Sequence, residues 1–363
     1  MLHLINGQTL NNEPIEVLVD NETIVAIAPK IEGDYEEVYD LQGRFISAGW
    51  IDMHTHCYER FDLYYDDADE VGYKTGVTSV VDAGTTGADD IDQFYQDSQS
   101  KITRVFALLN ISKLGIKQQD ELSDMHNIDD ARVADVLKRY PHFVIGLKAR
   151  MSASVIGNNG IKPLDRAKTM NRLHQVPLMV HIGSNPPLLV EILERLEAGD
   201  IVTHIFNGKD NGILNEFGKV RHEVIDAHNR GVIFDIGHGR DSFDFDVAQQ
   251  AFKECVFCDT ISSDIYHENR KRGPVYDLAT TMNKMLTIGY SPIDVISMVT
   301  SVPARVMHLN HLGLLEKGKT ADITIFTLDT LNQQLVDSNG STRETTHGFK
   351  PVGVVVKGKV YEL

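Results

Sequence analysis

Two histidines one residue apart, His54 and His56, close the run Ser47-Ala48-Gly49-Trp50-Ile51-Asp52-Met53-His54-Thr55-His56. In an extended strand alternate side chains point the same way, so the two imidazoles converge on one point. The apolar lead-in from Phe45-Ile46 to Ile51 reads as a buried strand carrying them at its C-terminal mouth. Imidazole is the commonest metal ligand, and a converging pair points to a divalent transition metal. Residues of matching chemistry end later apolar runs: Lys148 and Arg150 in Gly146-Leu147-Lys148-Ala149-Arg150, His181 in Met179-Val180-His181, His204 after Thr203, and Asp264 in Ser262-Ser263-Asp264.

Four neutral imidazoles and one carboxylate can hold two divalent ions, with zinc the expected metal and positions left for water. Lys148 is the odd member, because an ammonium repels metals. Burial and nearby metal charge would lower its pKa. The neutral amine can then add carbon dioxide, giving a carbamate whose two oxygens bridge the ions. Ions about 3.5–4 Å apart would share a hydroxide, since metal binding lowers the pKa of water to about 7. One ion would polarise a carbonyl, while Asp264 takes the hydroxide's proton and passes it to the leaving group. Arg150, two residues past Lys148 on the same side of the strand, is expected to clamp a substrate carboxylate; a salt bridge to a loop acid is the alternative. Asn207-Gly208, Gly237-His238-Gly239 and Tyr266-His267 also fall at strand mouths, and Asn207 and His238 are expected to contact substrate.

These residues need a scaffold that gathers several strand ends. The apolar runs Ile46–His56, Thr78–Ala83, Arg104–Ile111, Phe143–Ala149, Leu178–Ile182, Ile201–Phe206, Val232–Ile236 and Thr260–Ile265 alternate with helical or loop segments. Eight strands in such alternation predict a parallel sheet closed as a (β/α)8 TIM-type barrel over 46–311, with the site at the C-terminal ends. An open doubly wound sheet would need a glycine-rich loop after the first strand, where this chain has His-Thr-His-Cys. Short strand candidates with turn signals fill both ends, predicting a small β-sandwich domain from 1–45 and 312–363.

The chain has 363 residues, 42% hydrophobic and 24% charged, as soluble globular proteins do. Its formal charge of −17 has no basic cluster to offset it, which argues against nucleic acid or anionic membranes as partners. Three cysteines, an odd number, point to the cytosol rather than to a disulfide scaffold. Cys255 and Cys258 read as packing residues. A small-molecule substrate is expected, and a homo-oligomer is compatible.

The order His-x-His, Lys, His, His, Asp resembles the amidohydrolase superfamily in its binuclear, carboxylated-lysine form. Gly49 through His56 is similar to its strand-one signature. Ser301-Val302-Pro303-Ala304-Arg305 through Gly313, Gly318-Lys319-Thr320-Ala321-Asp322-Ile323 and Gly358 resemble its C-terminal return to a β-sandwich. The resemblance implies His54, His56, Lys148 and Asp264 on one ion, with Lys148, His181 and His204 on the other. Dihydroorotases of this superfamily usually carry an arginine two residues after the histidine pair, where Tyr58 stands here and Arg60 lies two further on. Mononuclear deaminases usually carry a glutamate at the position of Ser184, and binuclear adenine deaminases tend to bridge their metals with a glutamate instead of Lys148. Lys148-Ala149-Arg150-Met151-Ser152 with Asp235-Ile236-Gly237-His238-Gly239 resembles an amidohydrolase/deacetylase subgroup often labelled dihydroorotase or adenine deaminase. The expected activity is hydrolysis of an amide or ester of a small carboxylate-bearing molecule. Cyclic-amide hydrolysis and adenine deamination are the alternatives. A non-enzymatic assembly role is disfavoured because no ligand position is lost.

Overall fold

The computed structural model describes residues 1–363 and holds fifteen strands in two sheets. The chain opens with β1 (Leu2–Gln8), β2 (Pro14–Asp20), β3 (Thr23–Ala28), β4 (Glu37–Asp40) and β5 (Phe45–Ala48). A corner at Gly49 then starts the second sheet. A Cβ there would lie 2.1 Å from Thr78 Oγ1, so only glycine lets the two segments approach this closely. The single apolar run expected over Ile46–His56 is therefore two strands in two sheets. Trp50 sits at the junction, fully buried against Phe326 and Phe349, with its indole N–H donating to Ser47 Oγ at 3.1 Å.

The second sheet is entirely parallel and runs in sequence order: β6 (Trp50–Thr55), β7 (Val77–Ala83), β8 (Arg104–Asn110), β9 (Val144–Met151), β10 (Leu178–Ile182), β11 (Ile201–Thr203) and β12 (Ile233–Asp235). Helices cover its outer face through apolar stripes; Val133 and Val136 of Asp130–Arg139 are examples, in a helix started by Asp129 accepting from Arg132 N. On the other face Ile51, Met53, Val81, Leu108, Met179 and Ile201 pack with Met307 and Leu309.

The expected eighth strand, Thr260–Ile265, differs. It is bridged to β12 at Asp235–Thr260 and to β6 at Thr55–Ile265, and backbone bonds such as Ile236 N to Thr260 O and Asp264 N to His54 O curl the sheet on itself. Side chains take two of its other backbone N–H groups. Ser263 N donates to Asp52 Oδ1 at 3.0 Å, Ile265 N to Ser263 Oγ at 3.2 Å, and Asp264 takes a left-handed φ of +50°.

The chain returns to the first sheet as β13 (Ile323–Val336), β14 (Thr342–Val356) and β15 (Lys359–Glu362), in the order β15-β14-β13-β5-β1-β2-β3 with β4 beside β1. Ile325 pairs with Ile46 and Phe326 with Phe45, so both chain ends form one sheet with its own apolar core around Leu4, Val17, Ile24 and Ile323. The β13–β14 hairpin extends past that sheet and sets its tip against Phe243–Phe245. No helix is long and apolar enough to cross a membrane.

Candidate metal centre

Side chains from β6, β9, β10 and the segments after β11 and β12 meet at the C-terminal ends of the parallel strands. Asp264 Oδ1 lies 3.2 Å from His54 Nε2 and 3.1 Å from His56 Nε2. Lys148 Nζ is 3.1 Å from His54 Nε2, and His181 Nδ1 is 2.8 Å from His204 Nε2. Ligand atoms of His54, His204 and Asp264 all fall within 4.8 Å of one another. His54, Lys148 and His204 are each 1% exposed. The backbone is adapted to this convergence. The β6–β7 register slips between Asp52 and Thr55, and His204 and Asp264 have φ of +72° and +50°, values uncommon outside glycine and concentrated at functional sites.

Two relays orient the histidine pair. Thr203 Oγ1 donates to Asp235 Oδ2 at 2.7 Å, so its remaining interaction, 2.8 Å from His54 Nδ1, must accept a proton. Thr85 Oγ1 likewise donates to Asp82 Oδ2 and accepts from His56 Nδ1, both at 2.8 Å. His204 Nδ1 faces Gly237 O at 2.6 Å, and a carbonyl can only accept. In all three rings the proton is therefore on Nδ1 and the lone pair on Nε2, facing the centre. Such outer hydrogen bonds set the tautomer a metal requires. Neutral imidazoles and a carboxylate in this arrangement fit divalent transition ions.

The electrostatics agree. Burial, followed by the Lys148 charge, holds His54 well below the ordinary histidine range; burial and His204 do the same to His181; burial brings His204 down to about 3. The rings are thus neutral at pH 7, the form that binds metal. Burial lowers Lys148 to about 7 against the opposing charges of Asp264 and Asp235. Burial would raise Asp264, but the hydrogen bond from His56 leaves it below the usual carboxylate range.

The cavity above these groups has a volume of about 170 Å³. A larger groove of about 620 Å³ lies at the opposite ends of β8 and β9, beside Arg104 and His142 and far from this chemistry. Arg150 lines the smaller cavity, and it also makes a salt bridge: Nη1 lies 3.2 Å from both oxygens of the buried Glu121, with the guanidinium 5.7 Å from the Tyr64 ring centre. Its Nε and Nη2 make no hydrogen bond within the protein.

Two residues expected to contact substrate lie outside the cavity lining. His238 is fully buried and turns from the cavity onto Lys284, because left-handed turns at Gly237 and Gly239 swing it inward. Asn207 is buried as well, its amide donating to His204 O at 2.8 Å and its Oδ1 accepting from Lys209 N at 3.1 Å; it braces the turn after β11. Lys209, Arg240 and Tyr64 line the cavity without having been singled out, and they lie on loops where no periodicity marks them. The residue types of Asp82, Thr85 and Thr203 were visible, but their pairing with the histidines exists only in three dimensions.

The chain is 49% identical over 360 residues to a deacetylase of Enterococcus faecalis, with 98% of each protein covered. A solved structure named an adenine deaminase matches with a TM-score of 0.99 at 49% identity, over 100% of this chain and 99% of that one. Another, named a dihydroorotase, matches with a TM-score of 0.91 at 30% identity, over 99% and 97%. The chain belongs to the amidohydrolase superfamily. It is a hydrolase of the amidohydrolase type. A family described as a deacetylase-like composite domain matches residues 315–362, the stretch that re-enters the first sheet. Equal identity to proteins of two different names leaves the reaction to be argued from the amidohydrolase pocket itself.

Proposed function

We propose that this amidohydrolase is a metal-dependent deacylase that cleaves an amide or ester of a small carboxylate-bearing molecule. One observation carries the reading. In a chain of net charge −17, the cavity over the candidate metal centre is lined by three cations besides Lys148: Arg150, Lys209 and Arg240. Lys209 and Arg240 have no carboxylate partner, and Arg150 keeps one edge of its guanidinium free. An anionic substrate explains them, since guanidinium matches carboxylate geometry. Adenine, the substrate in one relative's name, carries no anionic group at neutral pH and would leave Lys209, Arg240 and the free edge of Arg150 unmatched.

His54, His56, Lys148 and Asp264 would hold one ion, and Lys148, His181 and His204 the other. The neutral Lys148 amine, adding to carbon dioxide with loss of one proton, would provide a carbamate oxygen for each. Bound ions, zinc being expected, supply Lewis acidity and an activated water. Asp264 would accept a proton from the attacking water and return it to the leaving group. Arg150 orients the substrate carboxylate, and Tyr64 and Tyr266, with ring centres 5.0 Å apart, wall the cavity from solvent.

We read the scaffold as a (β/α)8 barrel over 46–311, with 260–265 completing the strand circle, and a β-domain from 1–45 and 312–363. The free thiols of Cys57, Cys255 and Cys258 are compatible with the cytosol.

Turnover of metal-loaded protein on N-acetyl and O-acetyl small acids, their uncharged methyl esters, dihydroorotate and adenine tests the reading. Acid release from the carboxylates, well above the methyl esters, is expected. Activity confined to adenine or dihydroorotate would overturn it.

A further inference from the structure

Behind the metal centre lies a buried base that the proposed chemistry does not use. Lys284, on the Leu278–Ile288 helix, is fully buried. Its ammonium donates to His238 Nε2 at 2.7 Å and to Pro274 O at 2.8 Å. His238 Nδ1 faces Gly239 O at 2.8 Å, and its ring stacks on Phe243 with centres 4.7 Å apart. A carbonyl only accepts, so the His238 proton is on Nδ1 and Nε2 receives from Lys284. No carboxylate bonds to this ammonium. Burial lowers Lys284 to about 7, with Asp337 and Asp277 the charges opposing that shift. An ionisable side chain kept in such a place is destabilising unless it is well hydrogen-bonded.

What it holds is the loop against which the ligands pack. Gly237 and Gly239 flank His238 with φ of +47° and +55°. A Cβ on Gly237 would lie 2.1 Å from Thr203 Oγ1 and 3.0 Å from Nδ1 of both His204 and His54. One on Gly239 would lie 2.4 Å from Asp264 Oδ2. Gly237 O also takes the His204 Nδ1 proton. The loop continues through Arg240, Asp241 and Ser242 at the cavity, and its far end is tied to the hairpin tip. Phe243 N donates to Ser338 Oγ at 3.1 Å, and Phe245 N to Asp337 Oδ2 at 3.0 Å. The Lys284 helix is itself pinned to β14, where Phe349 N donates to Asn283 Oδ1 at 2.7 Å.

We propose that Lys284 is a positioning residue: through His238 it sets the Gly237–Gly239 backbone and thereby aims His204 and Asp264 at the ions. This rests on the metal-site reading above. Lys284→Met keeps the stem and removes the donors. Metal affinity by chelator competition, the visible spectrum of the cobalt-substituted protein and the melting temperature of the metal-free form are measured against wild type. The expected result is a weaker affinity, by about 10–100-fold as for other outer hydrogen-bond partners of metal ligands, with an altered cobalt spectrum and kcat lowered more than KM is raised. Unchanged affinity and spectrum would overturn the proposal, even with a lowered melting temperature. If Lys284→Met does not fold, His238→Phe, which preserves ring volume and stacking but loses both ring hydrogen bonds, carries the same two outcomes. Wild-type protein that binds no transition metal would instead refute the metal-site reading.

Discussion

Two buried cations flank the candidate metal centre, and their partners suit them to opposite roles. Arg150 bonds to a buried carboxylate, Glu121, through one nitrogen and presents its other edge to the cavity. Lys284 bonds only to neutral acceptors, His238 and Pro274 O, and faces nothing that substrate reaches. Arg150 stands near the end of β9 and His238 just past β12, both at strand mouths, yet one lines the cavity and the other braces its wall. Location at a strand mouth makes contact with substrate possible. The partner a side chain finds decides whether contact occurs.

The largest break in this arrangement should come from Lys148→Ala, which removes the group placed between the two histidine clusters. Turnover should fall about a thousandfold or more, equivalent to several kcal/mol of Lewis-acid stabilisation, and bound metal per chain should drop. Metal analysis beside activity checks this, with recovery on adding small carboxylates the sharper sign of a lost carbamate. Full metal content in the alanine variant would remove Lys148 from the ligand set.

Arg150→Ala separates the two cations by function. Loss of charge-assisted bonds worth about 1.5–3 kcal/mol should lower kcat/KM for carboxylate substrates by about 10–100-fold and leave their methyl esters nearly unaffected. Equal losses on both would assign Arg150 to structure, like Lys284.

Glu121 gives the comparison a pH dependence. Burial raises its pKa to about 7 despite the lowering charge of Arg150. A carboxyl whose folded pKa lies above its unfolded value favours the folded state while protonated, and that contribution is lost as pH rises through the folded value. The stability of wild type relative to Glu121→Gln should therefore fall between about pH 4.5 and pH 7. Denaturant titrations of both metal-free proteins across that window measure the difference; parallel profiles would mean Arg150 keeps Glu121 ionised throughout.

The smallest effects belong to the exposed cations. Lys209→Ala and Arg240→Ala should each cost about 2–5-fold in kcat/KM for anionic substrates, with the loss shrinking as salt is raised, as for rim charges generally. A salt-independent loss of a hundredfold in either would move the principal carboxylate contact there from Arg150.

Much of this was readable from residue order. The parallel strands announce themselves as short apolar runs because both faces of such a sheet are buried, and a histidine or aspartate ending several of them marks the C-terminal face. Segment 260–265 bonds to β12 and β6 without a continuous ladder, because Ser263 N and Ile265 N go to the Asp52 and Ser263 side chains and Asp264 takes a left-handed φ. The break at Gly49 was hidden for a related reason, since pattern continues across a corner that only a close neighbour, Thr78, makes necessary.

By itself the sequence determined the alternation that builds the parallel sheet, the joining of both chain ends into another, and the strand ends that carry His54, His56, Lys148, His181, His204 and Asp264, because these follow from local periodicity and residue type. Tertiary structure alone decided that Arg150 shares its charge with Glu121, that Thr85 and Thr203 fix the imidazole protons, and that His238 turns onto Lys284. Those outcomes depend on loop backbones in left-handed turns and on partners tens of residues away, which no local pattern specifies.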